Sequence, residues 1–244
     1  MILAILQARF SSSRLPGKVL KPILGKEMLL HQIERLQHSK MIDKLVVATS
    51  TDISDDAIEL LCLDNGIEVF RGSLNNVLDR FYQCTKRYNP EHVVRLTGDC
   101  PLADCQIIDQ VIQLHLDNDD DYTSNCFPAT YPDGLDVEIV KVNALKNAWD
   151  KAKLPSEKEH VTYYITQRGS EFRMGNLSNN LDLSHFRWTV DEPEDFTLVD
   201  KIYQKLYKES SLFTMQDVLN LLRQQPEFVK INDKLTRNKG LIKS

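Results

Sequence analysis

Short β-branched runs alternate with helical periodicity through the first half of the chain, and this rhythm restricts the fold more than any other feature. Residues 2–6 read as a strand, followed by Leu29, Ile33 and Leu36 at helical spacing; residues 45–48 read as a second strand, followed by Ile58, Leu61 and Cys62. The pattern continues with a strand at 67–70, a helix through Val77, Phe81 and Tyr88, a strand at 92–96, and a helix through Ile107, Ile108, Val111 and Ile112. The expected result is an α/β fold with a mainly parallel sheet and helices on both faces.

After Asp117 the rhythm breaks. An acidic stretch at 117–121 and a segment with Pro128, Pro132 and Gly134 precede a strand at 137–140, so the second half reads as α+β embellishment. Helices at 143–151 and 156–167, and strands at 172–177 and 186–190, are expected next. Pro193 in a first turn with Glu194 and Asp195 starts a helix whose apolar face carries Phe196, Val199, Tyr203 and Leu206. Thr214 with Asp217 signals the start of another. One domain over 1–225 is expected, with residues 226–244 as a polar, basic tail to which no role is assigned.

The chain's 244 residues, 42% hydrophobic, can build a proper core. The apolar run at 1–6 is too short for a signal peptide or a membrane span, which sets the expectation of a cytoplasmic protein without membrane attachment. Five cysteines with no CxxC pair argue against a disulfide framework and a zinc site. The net charge of -5 speaks against a nucleic-acid partner. It does not exclude an anionic small molecule, because screening limits the global charge to about 8 Å, whereas a partly desolvated cation ~4 Å from a phosphate gains roughly 4 kcal/mol before desolvation.

In an open α/β sheet, ligands sit beyond the carboxyl ends of the strands. The first strand runs into QARFSSSRLPGK, which has neither GxGxxG nor GxxxxGK[ST]. Here Arg9 and Arg14 offer forked donors to phosphate oxygens, Lys18 offers a point charge, and Gly17 lets the backbone approach closely. The competing reading is a solvated surface loop. Asp99, in ThrGlyAspCysPro at 97–101, and Asp191, after the expected strand at 186–190, are two strand-end carboxylates that suit one shared cation. Each also reads as an ordinary turn or helix-start residue.

QARFSSSRLPGKVL, VVATS, FRGSLNNVLDRFYQ, VVRLTGDCPL, DGLDVEIV, KEHVT and FRWTVDEPEDF, in that order, resemble the cytidylyltransferase group named for spore-coat polysaccharide synthesis, a relative of the CMP-Kdo and CMP-acylneuraminate synthetases. The resemblance spans roughly residues 1–205. It implies a nucleotide-diphospho-sugar transferase fold, a GT-A-like, Rossmann-like three-layer sandwich, with residues 1–125 as the nucleotide-binding half. Residues 126–190 would then form an acceptor and dimerisation region, since related enzymes are commonly homodimers. It further implies CTP over the first loop and Mg²⁺ at its phosphates. Arg9, Arg14 and Lys18 become triphosphate ligands, Ala8 and Ser13 further nucleotide-binding residues, Asp99 and Asp191 metal ligands, and Arg71 and Thr97 nucleoside contacts, with Arg14, Lys18 and Asp99 as the catalytic set. Ser11 stands where relatives usually show Gly, and Glu192 where Thr is common.

The same resemblance places the acceptor in the second half. Asp136 and Glu138 share one strand face by the period of two, and carboxylates suit sugar hydroxyls. An exposed strand face is the alternative. Glu159 and His160 begin an expected helical stretch, where His160 orients an acceptor hydroxyl, takes its proton, or is structural. Arg187 clamps a sugar carboxylate or pairs with a nearby acid. The implied reaction is attack of an acidic sugar's hydroxyl on CTP, giving a CMP-sugar and pyrophosphate. A nucleotide-sugar-consuming glycosyltransferase and a non-catalytic nucleotide-binding regulator are the rival classes.

Overall fold

The computed structural model describes residues 1–12, 14–207, 212–235 and 237. Strands β1 (Ile2–Gln7), β4 (Lys44–Ser50), β5 (Val69–Gly72) and β6 (His92–Thr97) are parallel neighbours. With β7 (Tyr122–Ser124), β8 (Glu138–Lys141) and β9 (Met174–Asn176) they form a seven-stranded sheet in the order β5-β4-β1-β6-β8-β7-β9. Only β8 runs against its neighbours, β6 and β7. A small hairpin, β2 (Pro22–Ile23) with β3 (Lys26–Glu27), stands apart from it.

Alternation along β1 explains why that strand is apolar throughout: both of its faces are covered. Ala4 and Leu6 join one core, with α1 (Met28–Leu36), α4 (Cys105–Asn118), α8 (Pro193–Leu206) and α9 (Met215–Gln224). Leu3 and Ile5 join the other, with α3 (Val77–Tyr88) and α5 (Val142–Lys151). Helix α2 (Asp56–Asp64) contributes Ile58 and Cys62 to the first core. The expected parallel α/β sheet, with its second half mixed, is what forms.

Two expected elements differ. Residues 186–190 form no strand beyond a single bridge from Arg187 to Asp133. Their N–H groups go instead to loop carbonyls, Trp188 and Thr189 to Asp133 O at 2.6 and 2.9 Å and Val190 to Asp99 O at 2.8 Å. The expected helix at 156–167 is broken into α6 (Pro155–Glu159) and α7 (Tyr163–Thr166). The break falls at His160 to Thr162, where β-branched Val161 is buried and the Thr162 hydroxyl turns inward to Glu138 at 2.6 Å. Strand β7 escaped the sequence reading because it follows directly on the acidic stretch.

The sheet order places β4 on one side of β1 and β6 on the other, so the chain direction switches at β1, the position where open α/β sheets leave a crevice. Gln7 pairs with Ala48 and Thr97 in register, which brings the loops after β1 and β6 together. Their contact is close: Gly98 N donates to Gln7 O at 2.7 Å, and a Cβ at Gly98 would meet that oxygen at 3.1 Å.

Candidate active site

The loop after β1 is tied down at both ends. Phe10 N donates to Asp55 Oδ1 at 2.7 Å, and Asp55 is itself fully buried and takes the Ser50 N–H at 3.0 Å. At the far end Gly17 adopts φ +66 and returns its N–H to Phe10 O at 2.9 Å, a left-handed turn that suits glycine. Among the described non-glycine residues positive φ occurs at Leu24, Asn89 and Asp119, so Ser11 keeps an ordinary backbone.

This loop and the one after β6 wall a cleft of about 350 Å³, with Arg9, Arg14, Lys18, Thr97, Asp99 and Asp191 on its surface. Ala8 is a buried part of the floor. Ser13 lies outside the described residues. Among the described residues no carboxylate pairs with Arg9, so its charge faces the cleft. Arg14 is held by Asp191 at 3.0 Å and Glu192 at 3.4 Å, so Glu192 steadies an arginine of the loop.

Asp99 and Asp191 do converge, and they do so on the ammonium of Lys18. Nζ donates to Asp99 Oδ2 at 3.0 Å, Asp191 Oδ1 at 2.8 Å and Val190 O at 2.8 Å, which uses all three of its protons. Burial pushes the Asp99 carboxyl up, but Lys18 outweighs it and holds the group down at about 2. Burial lowers Lys18 and the two acids more than restore it, for a net upward shift. The bond from Val190 N to Asp99 O fixes the two acid-bearing segments side by side.

Among the described residues no cluster of three or more His, Cys, Asp or Glu side chains has the form of a metal cage. The pair of converging carboxylates nevertheless fits Mg²⁺, which is held by one or two carboxylates together with substrate phosphates and water.

Three expected residues take other places. Arg187 is buried and clamped by Asp133 at 3.1 Å, Asp195 at 3.0 Å and Asp191 at 3.1 Å. It orients Asp191 and lines neither cleft, because three carboxylates surround its guanidinium. Arg71 lines neither cleft, donating to Ser50 O at 2.8 Å and Asp52 O at 2.9 Å and pairing with Asp56 and Glu59, both at 2.7 Å. Glu159 lines the first cleft, across from the loop.

A second cleft of about 290 Å³ adjoins the first at Thr97, which lines both. Asp136, Glu138 and His160 meet there, as the sequence reading expected, joined by Arg95, Tyr163 and Arg237. Glu138 is held from three sides: Oε1 accepts from Tyr122 and Thr162 hydroxyls, both at 2.6 Å, and Oε2 pairs with Arg95. Burial pushes Asp136 up to about 7, although Arg237 beside it at 2.5 Å pulls the other way. Burial also lowers His160. A lone arginine inside the apolar run HVVRLT was the one sequence signal for Arg95. Arg237 had none, since it lies in the segment read as a tail.

Comparison with known proteins gives a consistent result. The sequence pattern of a family described as cytidylyltransferase matches residues 3–235. The spore coat polysaccharide biosynthesis protein SpsF of Bacillus subtilis is 35% identical over 233 residues, 93% of this chain and 95% of that protein. A 3-deoxy-manno-octulosonate cytidylyltransferase of Geobacter sulfurreducens is 34% identical over 111 residues, 46% of this chain and 44% of that protein. The structure of a cytidylyltransferase from Leptospira borgpetersenii superposes with a TM-score of 0.89 at 34% identity, covering 93% of this chain and 96% of that one.

Proposed function

Because the chain belongs to the cytidylyltransferase family, we propose that it joins CMP from CTP to a hydroxyl of a sugar acid, releasing pyrophosphate, as a step toward a surface polysaccharide. The supporting observation is the adjacency of two unlike clefts at Thr97: one with a cationic loop facing two acids, the other lined by carboxylates, arginines and a histidine. CTP enters the first, and the sugar the second. The sugar-acid class draws on the relative named as a 3-deoxy-manno-octulosonate cytidylyltransferase, and the polysaccharide context on the one named SpsF.

In this reading the acceptor oxygen forms a bond to the α-phosphorus while the bond from that phosphorus to the bridging oxygen of pyrophosphate breaks. The protein's work is positioning and charge stabilisation. Arg9 and Arg14 hold the triphosphate, and Gly98 lets the loops after β1 and β6 close on each other beneath it. Asp99 and Asp191 would hold Mg²⁺, which when bound neutralises phosphate charge and fixes geometry. The acceptor proton leaves toward Asp136, whose carboxyl at about 7 is matched to a general base near neutral pH.

CTP-dependent nucleotidyl transfer is the chemistry of this family, which sets aside the glycosyltransferase and regulator readings. Among the described residues no helix is long and apolar enough to cross a membrane, and we assign the reaction to the cytoplasm. The test is pyrophosphate release from the four nucleoside triphosphates, each with Mg²⁺ and a panel of acidic and neutral sugars. Release that requires CTP and an acidic sugar is expected; release with neutral sugars alone contradicts the assignment of the acceptor.

A further inference from the structure

The segment after Pro226 does not trail into solvent where it is described. Phe228 is buried, with Lys201 over its ring at 5.6 Å. Asn232 is buried and donates to Arg187 O at 2.9 Å and Asp195 Oδ1 at 2.8 Å. Arg237 then reaches over the second cleft, donating through Nη1 to Tyr131 O at 3.1 Å and through Nη2 to Asp136 Oδ1 at 2.5 Å. The anchors at Asn232 bind the same Arg187 and Asp195 that orient Asp191, so this segment is tied to both clefts.

Hydrogen-bonding capacity around the second cleft is unequal. Glu138 has three donors on its two oxygens, which leaves one of its roughly four lone pairs, on Oε2. Arg95 pairs with Glu138, and its buried Nε has no partner among the described residues. Arg237 uses two of the five N–H groups of a guanidinium in the bonds just given. The unused capacity is therefore mostly donor, on planar forks that match a carboxylate in two places at once. Asp136, the one carboxylate here with an oxygen to spare, is pushed up to about 7 by burial and so repels an incoming anion less than an ordinary aspartate does near neutral pH.

We propose that Arg237 is a specificity-determining residue: held by Asp136 and the Tyr131 carbonyl, it receives the carboxylate of the acceptor sugar, and the C-terminal segment forms a wall of the acceptor cleft. The proposal rests on reading the second cleft as the acceptor site. It replaces Arg187, which three acids already occupy, with a residue some fifty positions later in the chain.

The full-length chain, Arg237→Ala and Arg237→Lys are titrated calorimetrically with 3-deoxy-manno-octulosonate and N-acetylneuraminate, each beside its methyl ester, and separately with CTP. At least one acid should bind the wild type more tightly than its ester. Arg237→Ala should weaken that acid by about tenfold or more, the scale of a lost charged hydrogen bond, with its ester and CTP changing about twofold or less. Arg237→Lys should recover part of the loss, because the charge remains while the fork is gone. Failure of both acids to bind the wild type, or equal weakening of acid and ester, overturns the proposal. CTP binding decides separately on the function: acid binding that depends on Arg237 without CTP binding keeps this inference and removes the nucleotidyltransferase reading, and CTP binding with both acids ignored does the reverse.

Discussion

Replacing Lys18 with Met keeps an unbranched side chain of similar length but removes the ammonium that Asp99 and Asp191 share at 3.0 and 2.8 Å. Breaking a buried ion pair by deleting one partner costs about 3 to 5 kcal/mol. Asp191 keeps Arg14 at 3.0 Å and Arg187 at 3.1 Å, so the loss falls mainly on Asp99 and the lower end, about 3 kcal/mol, applies. For a chain of this size that lowers Tm by roughly 6 to 12 °C, measured by circular dichroism at pH 7.

The same variant carries two further signatures. In the wild type, Asp99 is held at about 2, below its ordinary 3.8, so its stabilisation is present above that ordinary value and lost as pH falls toward 2. Without Lys18, burial dominates and the carboxyl rises, so the variant is penalised above that range and relieved by protonation below it. The gap in Tm between the two proteins should therefore narrow as the pH is lowered through about 4. Freed of the ammonium, the two acids should accept a divalent ion without the triphosphate that the wild type needs to bring it in, and Mg²⁺ at about a hundred times its Kd should return roughly 2.7 kcal/mol. A Tm within about 2 °C of wild type, unmoved by pH or Mg²⁺, refutes the shared-cation arrangement.

Arg14→Ala removes a half-exposed side chain whose ion pairs are worth about 1 kcal/mol or less, so stability should hold while CTP-dependent pyrophosphate release falls roughly a hundredfold; equal activity in the variant takes the loop out of the reaction. Gly134 has φ +104, and a Cβ there would meet Thr189 N at 2.5 Å and the Trp188 carbonyl carbon at 2.6 Å. Gly134→Ala should cost several kcal/mol, about 3 or more, and displace the segment leading to Asp191; a urea midpoint like that of the wild type contradicts this. His115 is fully buried, bonded to His92 at 3.0 Å and Thr123 at 3.1 Å, and burial lowers it from 6.5 to about 4. Its folded-state pKa is depressed, so this stability is present above pH 6.5 and lost as the pH falls toward 4, about 3 kcal/mol in all. His115→Gln should flatten the fall in urea midpoint across that window, and an unchanged slope assigns the acid sensitivity elsewhere.

The parallel half of the fold was legible because both faces of its strands are buried, which writes β-branched runs such as those of β1 and β4 directly into the sequence. Strand-end logic likewise found the loop cations and the two acids. What it missed depended on contacts between distant segments. The 186–190 run looks like a strand, yet its N–H groups are taken by the carbonyls of Asp133 and Asp99, a pairing that no local pattern encodes. For Arg187 the sequence left a sugar carboxylate and a nearby acid equally open, Arg71 looked available as a free cation, and only the fold reveals the carboxylates around both. Arg237 was hidden most fully, because a basic, polar segment reads as solvated until Phe228 and Asn232 are seen to be buried.

A triphosphate lying between the opening loop and the two converging acids is what everything above requires. A crystal structure of the protein with CTP and Mg²⁺ tests this most directly. It should show phosphate oxygens on Arg9 and Arg14, the metal on Asp99 and Asp191, and the α-phosphate turned toward Thr97 and the second cleft. A nucleotide bound elsewhere, or one whose α-phosphate faces away from that cleft, contradicts it.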